Sequence, residues 1–244
     1  MRKILGSMRK AIQKFNMIQA NDRIAVGLSG GKDSTALLVA LNQYQHFSPV
    51  PFSLEALTLD MGFGGMDFTP MIKLCHSLDI PYTICKTQIG PIVFDIRKEK
   101  NPCSLCARMK RGALHDEALK RGCKKLALGH HADDVVETFF LSLFYESRIN
   151  TFSPVTYLDR KGITLIRPFV FIHEKEIIFS KACQQLPHIK NTCPADGHTK
   201  RAEIKTFIQS TRQMIPDIDE RVLSAIQNKD QLKLWFDIQG VNHE

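Results

Sequence analysis

The sequence predicts an α/β protein, a mostly parallel, doubly wound sheet followed by a small helical C-terminal part. Three observations carry that expectation. Short apolar runs alternate with helical patterns over residues 23–145, the first run ends in a glycine turn that opens a helix, and after residue 170 only helical patterns remain.

Ile4, Leu5, Met8, Ile12, Phe15 and Ile18 recur at helical spacing, so an amphipathic helix is expected over residues 4–18, with an apolar face that needs a neighbour. Residues 23–28 read as a short buried strand, which passes through glycines into a helix over 34–44. Strands over 52–59, 82–86 and 125–128 then alternate with helices over 69–78, 105–121 and 133–145. Helices over 174–185, 200–214 and 217–228 form the tail. The chain is expected to divide softly into an α/β nucleotide-binding part over 1–170 and a helical part over 171–244 that contributes Cys193. It carries no internal repeat, low-complexity run or Ser/Gly linker.

With 244 residues and 43% hydrophobic content the chain can bury a full core. Its apolar runs fall short of the roughly 20 residues that cross a bilayer, and its basic start lacks the uninterrupted apolar stretch of a signal peptide. No membrane association and a cytoplasmic location are therefore expected. The seven cysteines are an odd number, and Cys75, Cys85, Cys123 and Cys183 sit singly among apolar neighbours, which argues against a disulfide scaffold. A net charge of +8 favours a polyanionic partner.

Ser29-Gly30-Gly31-Lys32-Asp33-Ser34 follows the first strand and precedes a helix. Glycines let backbone amides face an anion, the helix N-terminus adds partial positive charge, and Lys32 and the serines supply further donors. This is not a Walker A loop: Val26 stands where its first glycine would fall, and Asp33 follows the lysine. Gly129-His130-His131-Ala132-Asp133-Asp134, with Glu137 and Thr138 one turn on, lies at a strand end entering a helix. Asp133 and Asp134 suit a magnesium ion beside phosphates, or serve as a helix cap and first-turn pair. Asp60 closes the second strand and is a further candidate near a nucleotide.

Cys103 and Cys106 have thiolate-ligand spacing, and Cys193 is a third candidate. Structural zinc completed by His198, a redox pair and unrelated thiols all remain open on spacing alone. Arg108, Lys110 and Arg111 follow the first cysteines, and Lys200, Arg201 and Lys205 follow Cys193. Both segments suit RNA phosphates or a solvated helix face.

The SGGKDS hexapeptide after an apolar strand, together with the Gly129–Asp134 stretch, resembles the PP-loop ATP-pyrophosphatases. Over residues 15–208, including Cys103-Ser-Leu-Cys106 and Ile166-Arg167-Pro168, the chain is similar to their tRNA 2-thiocytidine synthetase group. The resemblance implies an adenine nucleotide alpha hydrolase-like fold, with ATP held by Ser29, Gly30, Gly31, Lys32, Asp33, Ser34, Asp60, Gly129 and His130. It implies Mg2+ at Asp133 and Asp134, a catalytic role for Asp134, and a 4Fe-4S cluster on Cys103, Cys106 and Cys193 with one iron open for sulfur. A pyrimidine oxygen of tRNA would be adenylated and replaced by sulfur, as in 2-thiocytidine formation. Arg108, Lys110, Arg111, Lys200 and Arg201 would contact the RNA. A sulfur donor such as a cysteine desulfurase system is implied as a partner, and the resemblance leaves room for a homodimer. The chain departs from the group in keeping one cysteine of a second CxxC, with Lys190 where the other would stand. Two other readings compete. One keeps the ATP chemistry with a persulfide or ammonia nucleophile and a zinc or redox CxxC; the other is a nucleotide-sensing, RNA-binding module without turnover.

Overall fold

Strand β1 (Asp22–Gly27) lies between β2 (Phe52–Asp60) and β4 (Lys125–Ala127), parallel to both. From it the chain builds in one direction through β2 to β3 (Tyr82–Lys86), then crosses to β4 and continues to β6 (Ile163–Ile166). An antiparallel edge strand, β5 (Val155–Leu158), completes the order β3-β2-β1-β4-β6-β5. The computed structural model that gives this arrangement describes residues 1–98, 102–189, 192–193 and 200–228. The expected mostly parallel, doubly wound sheet is present. His198 and Lys190 lie outside the described residues.

Alternation along each strand divides the core between two faces, because successive side chains point to opposite sides of a sheet. Ile24 and Val26 of β1, Ala127 of β4 and Ile166 of β6 join one cluster, while Ala25, Leu126, Ile163 and Leu165 join another. The first face is covered by α1 (Arg2–Lys14), which buries Ile4, Met8, Ala11 and Ile12, and by α2 (Lys32–Gln45) and α3 (Thr69–Ser77). The second face is covered by α5 (Pro102–Lys120) through Leu114 and Ala118. Between β3 and α5 the chain makes a short helix, α4 (Ile89–Pro91), that runs into a π-helical turn over Ile92–Ile96. Val93 of this turn packs with Met61 and Cys106, which ties the start of α5 to the end of β2.

Helix α6 (Ala132–Glu146) follows β4. The helix expected over 174–185 is two pieces, α7 (Glu174–Ile178) and α8 (Lys181–Gln184), separated at Phe179 and Ser180. Helices α9 (Lys200–Met214) and α10 (Ile218–Gln227) pack on α6 through Val136, Ile204, Ile208 and Val222. Ile177 and Leu186 pack with the main core, so this part of the helical tail lies against the sheet domain. Among the described residues no helix is long and apolar enough to cross a membrane.

Phe169 follows β6 and is fully enclosed in the main cluster. Phe169→Ala is expected to lower unfolding stability by about 3–5 kcal/mol, the usual cost of an unfilled aromatic cavity. Urea denaturation checks this through a lower midpoint at unchanged slope.

Candidate active site

Strands β1 and β4 are neighbours from which the chain departs in opposite directions, and the crevice beyond their C-terminal ends is where open α/β sheets place ligands. The glycine loop leaves β1 there. Ser34 Oγ donates to the Gly31 carbonyl at 3.0 Å, accepts from the Ser29 amide at 3.1 Å and lies 3.0 Å from Ser29 Oγ. Thr35 Oγ1 donates to the same carbonyl at 3.0 Å. The serines therefore brace the loop from inside. No side chain caps the start of α2, which leaves the first-turn amides to an anion.

Two glycines are required by contact. Gly30 has φ of 80° and would bring a Cβ to 2.8 Å from Ile189, whose amide donates to the Gly30 carbonyl at 2.8 Å. At Gly129, which follows β4, a Cβ would lie 3.1 Å from the backbone of Asp33 and Ser34. The two motifs are thus in backbone contact. Asp60, at the end of β2, accepts the Gly62 amide at 2.9 Å and holds the turn that follows.

Lys32 Nζ lies 2.9 Å from Asp33 and 2.8 Å from Glu174 on α7, and Glu174 also pairs with Lys205 of α9 at 2.7 Å. Burial raises the Glu174 carboxyl, but the hydrogen bonds from Lys205 and Lys32 outweigh it and bring its pKa down to about 2. Asp33 Oδ1 is buried without a partner. No pattern in the sequence singles out Glu174, because its role arises only where α7 meets the loop.

Both carboxylate oxygens of Asp133 accept hydrogen bonds from the protein. The donors are the Glu174 amide at 2.7 Å and Arg212 at 2.9 Å, and His173 lies 3.5 Å away. Burial raises its carboxyl, and the bond from His173, the Glu174 amide and the charges of His131 and His173 hold it well below the usual range. Asp134 forms a reciprocal helix cap: the His131 amide donates to it at 3.0 Å, and its own amide donates to His131 Nδ1 at 3.4 Å. Arg201 is likewise drawn inward, onto Asp134 at 3.1 Å, Glu137 at 3.2 Å and Thr138 at 3.1 Å. It clamps α9 to α6. Lys200 pairs with Glu203 at 3.0 Å. By contrast Arg108, Lys110 and Arg111 are exposed on α5, with no carboxylate in ion-pair reach among the described residues. They are the free charges of the expected RNA set.

Cys103 is exposed in the first turn of α5, and Cys106 is buried one turn later. Burial pushes the Cys106 thiol up, Lys110 pulls it down, and the nearby Cys193 and Cys103 push it up again, so the three sulfurs share one neighbourhood. They do not converge on a point: among the described residues no three His, Cys, Asp or Glu side chains are placed to hold a single metal ion. Cys75 and Cys123 lie apart from this group as buried core thiols, Cys75 pushed up to about 11 by burial. His130, beside Gly129, packs its ring 5.0 Å from Phe152, and burial brings its pKa down to about 4, so it is neutral at pH 7.

The pairing of His173 has a pH signature. Its hydrogen bond to Asp133, ahead of the opposing effect of burial, raises its pKa above the ordinary 6.5. A raised folded-state pKa gives stability that is complete below 6.5 and lost as pH rises through the folded value. The melting temperature of the native chain should therefore exceed that of His173→Gln by more at pH 5.5 than at pH 8.5, as scanning calorimetry at both would show.

Comparison with known proteins now gives the geometry a family. The model of the PP-loop domain matches residues 5–211. A tRNA-cytidine(32) 2-sulfurtransferase of Pelobacter propionicus is 37% identical over 93% of this chain and 86% of its own length. Its counterpart in Neisseria meningitidis serogroup C is 37% identical over 89% of this chain and 69% of its own. Among solved structures, the U34-tRNA thiolase NcsA of Methanococcus maripaludis, solved with its 4Fe-4S cluster, superposes with a TM-score of 0.78 at 24% identity. That match covers 98% of this chain and 82% of the thiolase, and shows the shared fold. The chain belongs to the PP-loop family, in the group whose curated members are named tRNA-cytidine(32) 2-sulfurtransferases.

Proposed function

We propose that this chain is an ATP-dependent tRNA sulfurtransferase that adenylates the 2-oxygen of a cytidine and replaces it with sulfur. The observation that carries the reading is the backbone contact of Gly129 with Asp33 and Ser34, which joins the phosphate loop to the second motif at one sheet edge. The thiol-bearing helix α5 packs near that edge through Met61 and Cys106.

In this reading the loop amides, Ser29, Ser34 and Lys32 hold the triphosphate. Lys32 exchanges Glu174 for phosphate oxygens and offsets charge as the base oxygen attacks the α-phosphate and pyrophosphate leaves. Asp133 and Asp134 both accept donors from the protein, and would exchange some of them to hold a magnesium ion that offsets phosphate charge. The three thiols share one neighbourhood, and thiolates are the donors an iron-sulfur cluster takes. A 4Fe-4S cluster on Cys103, Cys106 and Cys193 would supply an open iron for the sulfur that displaces AMP. Arg108, Lys110 and Arg111 meet the RNA backbone, and the neutral imidazole of His130 is free to exchange a hydrogen bond at the reacting edge. A cysteine desulfurase system as sulfur source and a homodimer complete the proposal.

Lys32→Ala is expected to lower pyrophosphate release in the presence of tRNA by roughly a hundredfold or more while the fold remains intact; near-native turnover would remove the loop from the chemistry. Cys103→Ala, Cys106→Ala and Cys193→Ala should each lose iron and acid-labile sulfide after anaerobic reconstitution, and Cys123→Ala should retain both. Unchanged iron in the Cys193 variant would exclude that residue. Joint replacement of Arg108, Lys110 and Arg111 by alanine should flatten the salt dependence of tRNA binding, by about 0.7–0.9 in log-log slope for each phosphate that is no longer neutralised.

A further inference from the structure

Arg167 follows β6 and is only 7% exposed. One of its terminal nitrogens donates to the Ser153 carbonyl at 2.6 Å and to Thr156 at 3.2 Å, and its guanidinium lies 4.9 Å from the centre of the Phe152 ring. Its Nε is buried with no partner. Among the described residues no carboxylate is in ion-pair reach of it, and the charged group that does face it is Arg111 on α5. Burial, then repulsion by Arg111, lowers Arg167 to about 10, so it remains a cation at pH 7. His130, whose ring also packs on Phe152, keeps Nδ1 buried without a partner, and His115 on α5, also near Arg111, keeps Nε2 buried without one.

A buried guanidinium with an unused donor and a second cation beside it is unfavourable unless an anion arrives from outside. Support of the Phe152 and Ser153 backbone explains the terminal nitrogen and the ring contact. It leaves Nε idle and gives no reason for Arg111 to stand nearby. A tetrahedral phosphate supplies charge for both arginines and several acceptor oxygens, a geometry that guanidinium groups from two elements can share. The location agrees. His130 adjoins Gly129 at the loop, and Arg111 is on the helix that carries Cys103 and Cys106.

We infer that Arg167 and Arg111 form a second phosphate-binding site, separate from the glycine loop. The phosphate is either a phosphodiester of the RNA beside the target nucleotide or the departing pyrophosphate. That choice rests on the proposed reaction; the anion site itself does not.

The test uses the full chain with Arg111→Gln, Arg167→Lys and the double variant, each checked for folding by circular dichroism. Arg167→Lys keeps the charge but loses Nε and the fork. The probes are an unmodified tRNA anticodon stem-loop, bound across a salt series, and inorganic pyrophosphate, bound in the absence of RNA. If the phosphate belongs to RNA, each single variant weakens stem-loop binding by about tenfold, and the double variant weakens it by less than the product because both residues hold one group. Pyrophosphate binding then stays unchanged. If it is pyrophosphate, the same pattern appears with that probe and Arg167→Lys leaves stem-loop binding unaffected. Folded variants that bind both probes as the native chain does overturn the site. Should Arg167→Lys fail to fold, Arg111→Gln is compared with Arg108→Gln: a tenfold loss for pyrophosphate, or a stem-loop loss tenfold beyond that of Arg108→Gln, supports the site, and native pyrophosphate affinity with a stem-loop loss no greater than that of Arg108→Gln overturns it. Nucleoside analysis of tRNA treated with the native chain judges the thiolation reading separately, since absent 2-thiocytidine would sink that reading and leave the anion result standing.

Discussion

The close approach of Gly129 to the backbone of Asp33 and Ser34 governs the whole C-terminal edge of the sheet. Parallel pairing of β1 with β4 sets the two strand ends side by side, and the missing Cβ lets the chain leaving β4 rest against the start of α2. Any larger residue would press on backbone atoms, which have no rotamer through which to yield. The loop geometry, the entry into α6 and the placement of His130 therefore depend on one another.

A second layer of order is electrostatic. Lys32 reaches α7 through Glu174, Glu174 reaches α9 through Lys205, and Asp133 gathers His173, the Glu174 amide and Arg212. Arg212 continues to Asp219 on α10 at 2.6 Å. The C-terminal helices are thereby fastened to the loop by partly buried pairs, each with a hydrogen-bonded partner, as well as by the apolar contacts of Val136, Ile204 and Val222. Removing charge from one member would strand its partner at low exposure.

The sheet's strands and their order of appearance were legible because β1, β2 and β4 are apolar runs flanked by clear helical periodicity. The hairpin of β5 and β6 was not: Val155–Leu158 and Ile163–Ile166 are too short for periodicity to register, and their pairing is set by the turn at Gly162, with φ of 66°. The break between α7 and α8 escaped for a similar reason, since apolar spacing continues across Phe179 while the hydrogen bonds do not. Motif residues of the loop were readable from their types alone. The occupation of Asp133 and Arg201 was not, because their partners are Arg212, His173, Asp134 and Glu137, which only the packing of α7 and α9 on α6 brings near. Arg167 is the clearest case, as an arginine after a strand looks ordinary until no acid among the described residues proves to lie in ion-pair reach of it.

The bond from the Ile189 amide to the Gly30 carbonyl has a mechanical meaning. The phosphate loop and the segment that carries Cys193 share a rivet, with Ile189 wedged against the glycine's α-carbon and the thiol four residues farther along. A side chain at Gly30 would push against Ile189 and strain this bond, so the curvature of the loop and the position of Ile189 are fixed by one contact.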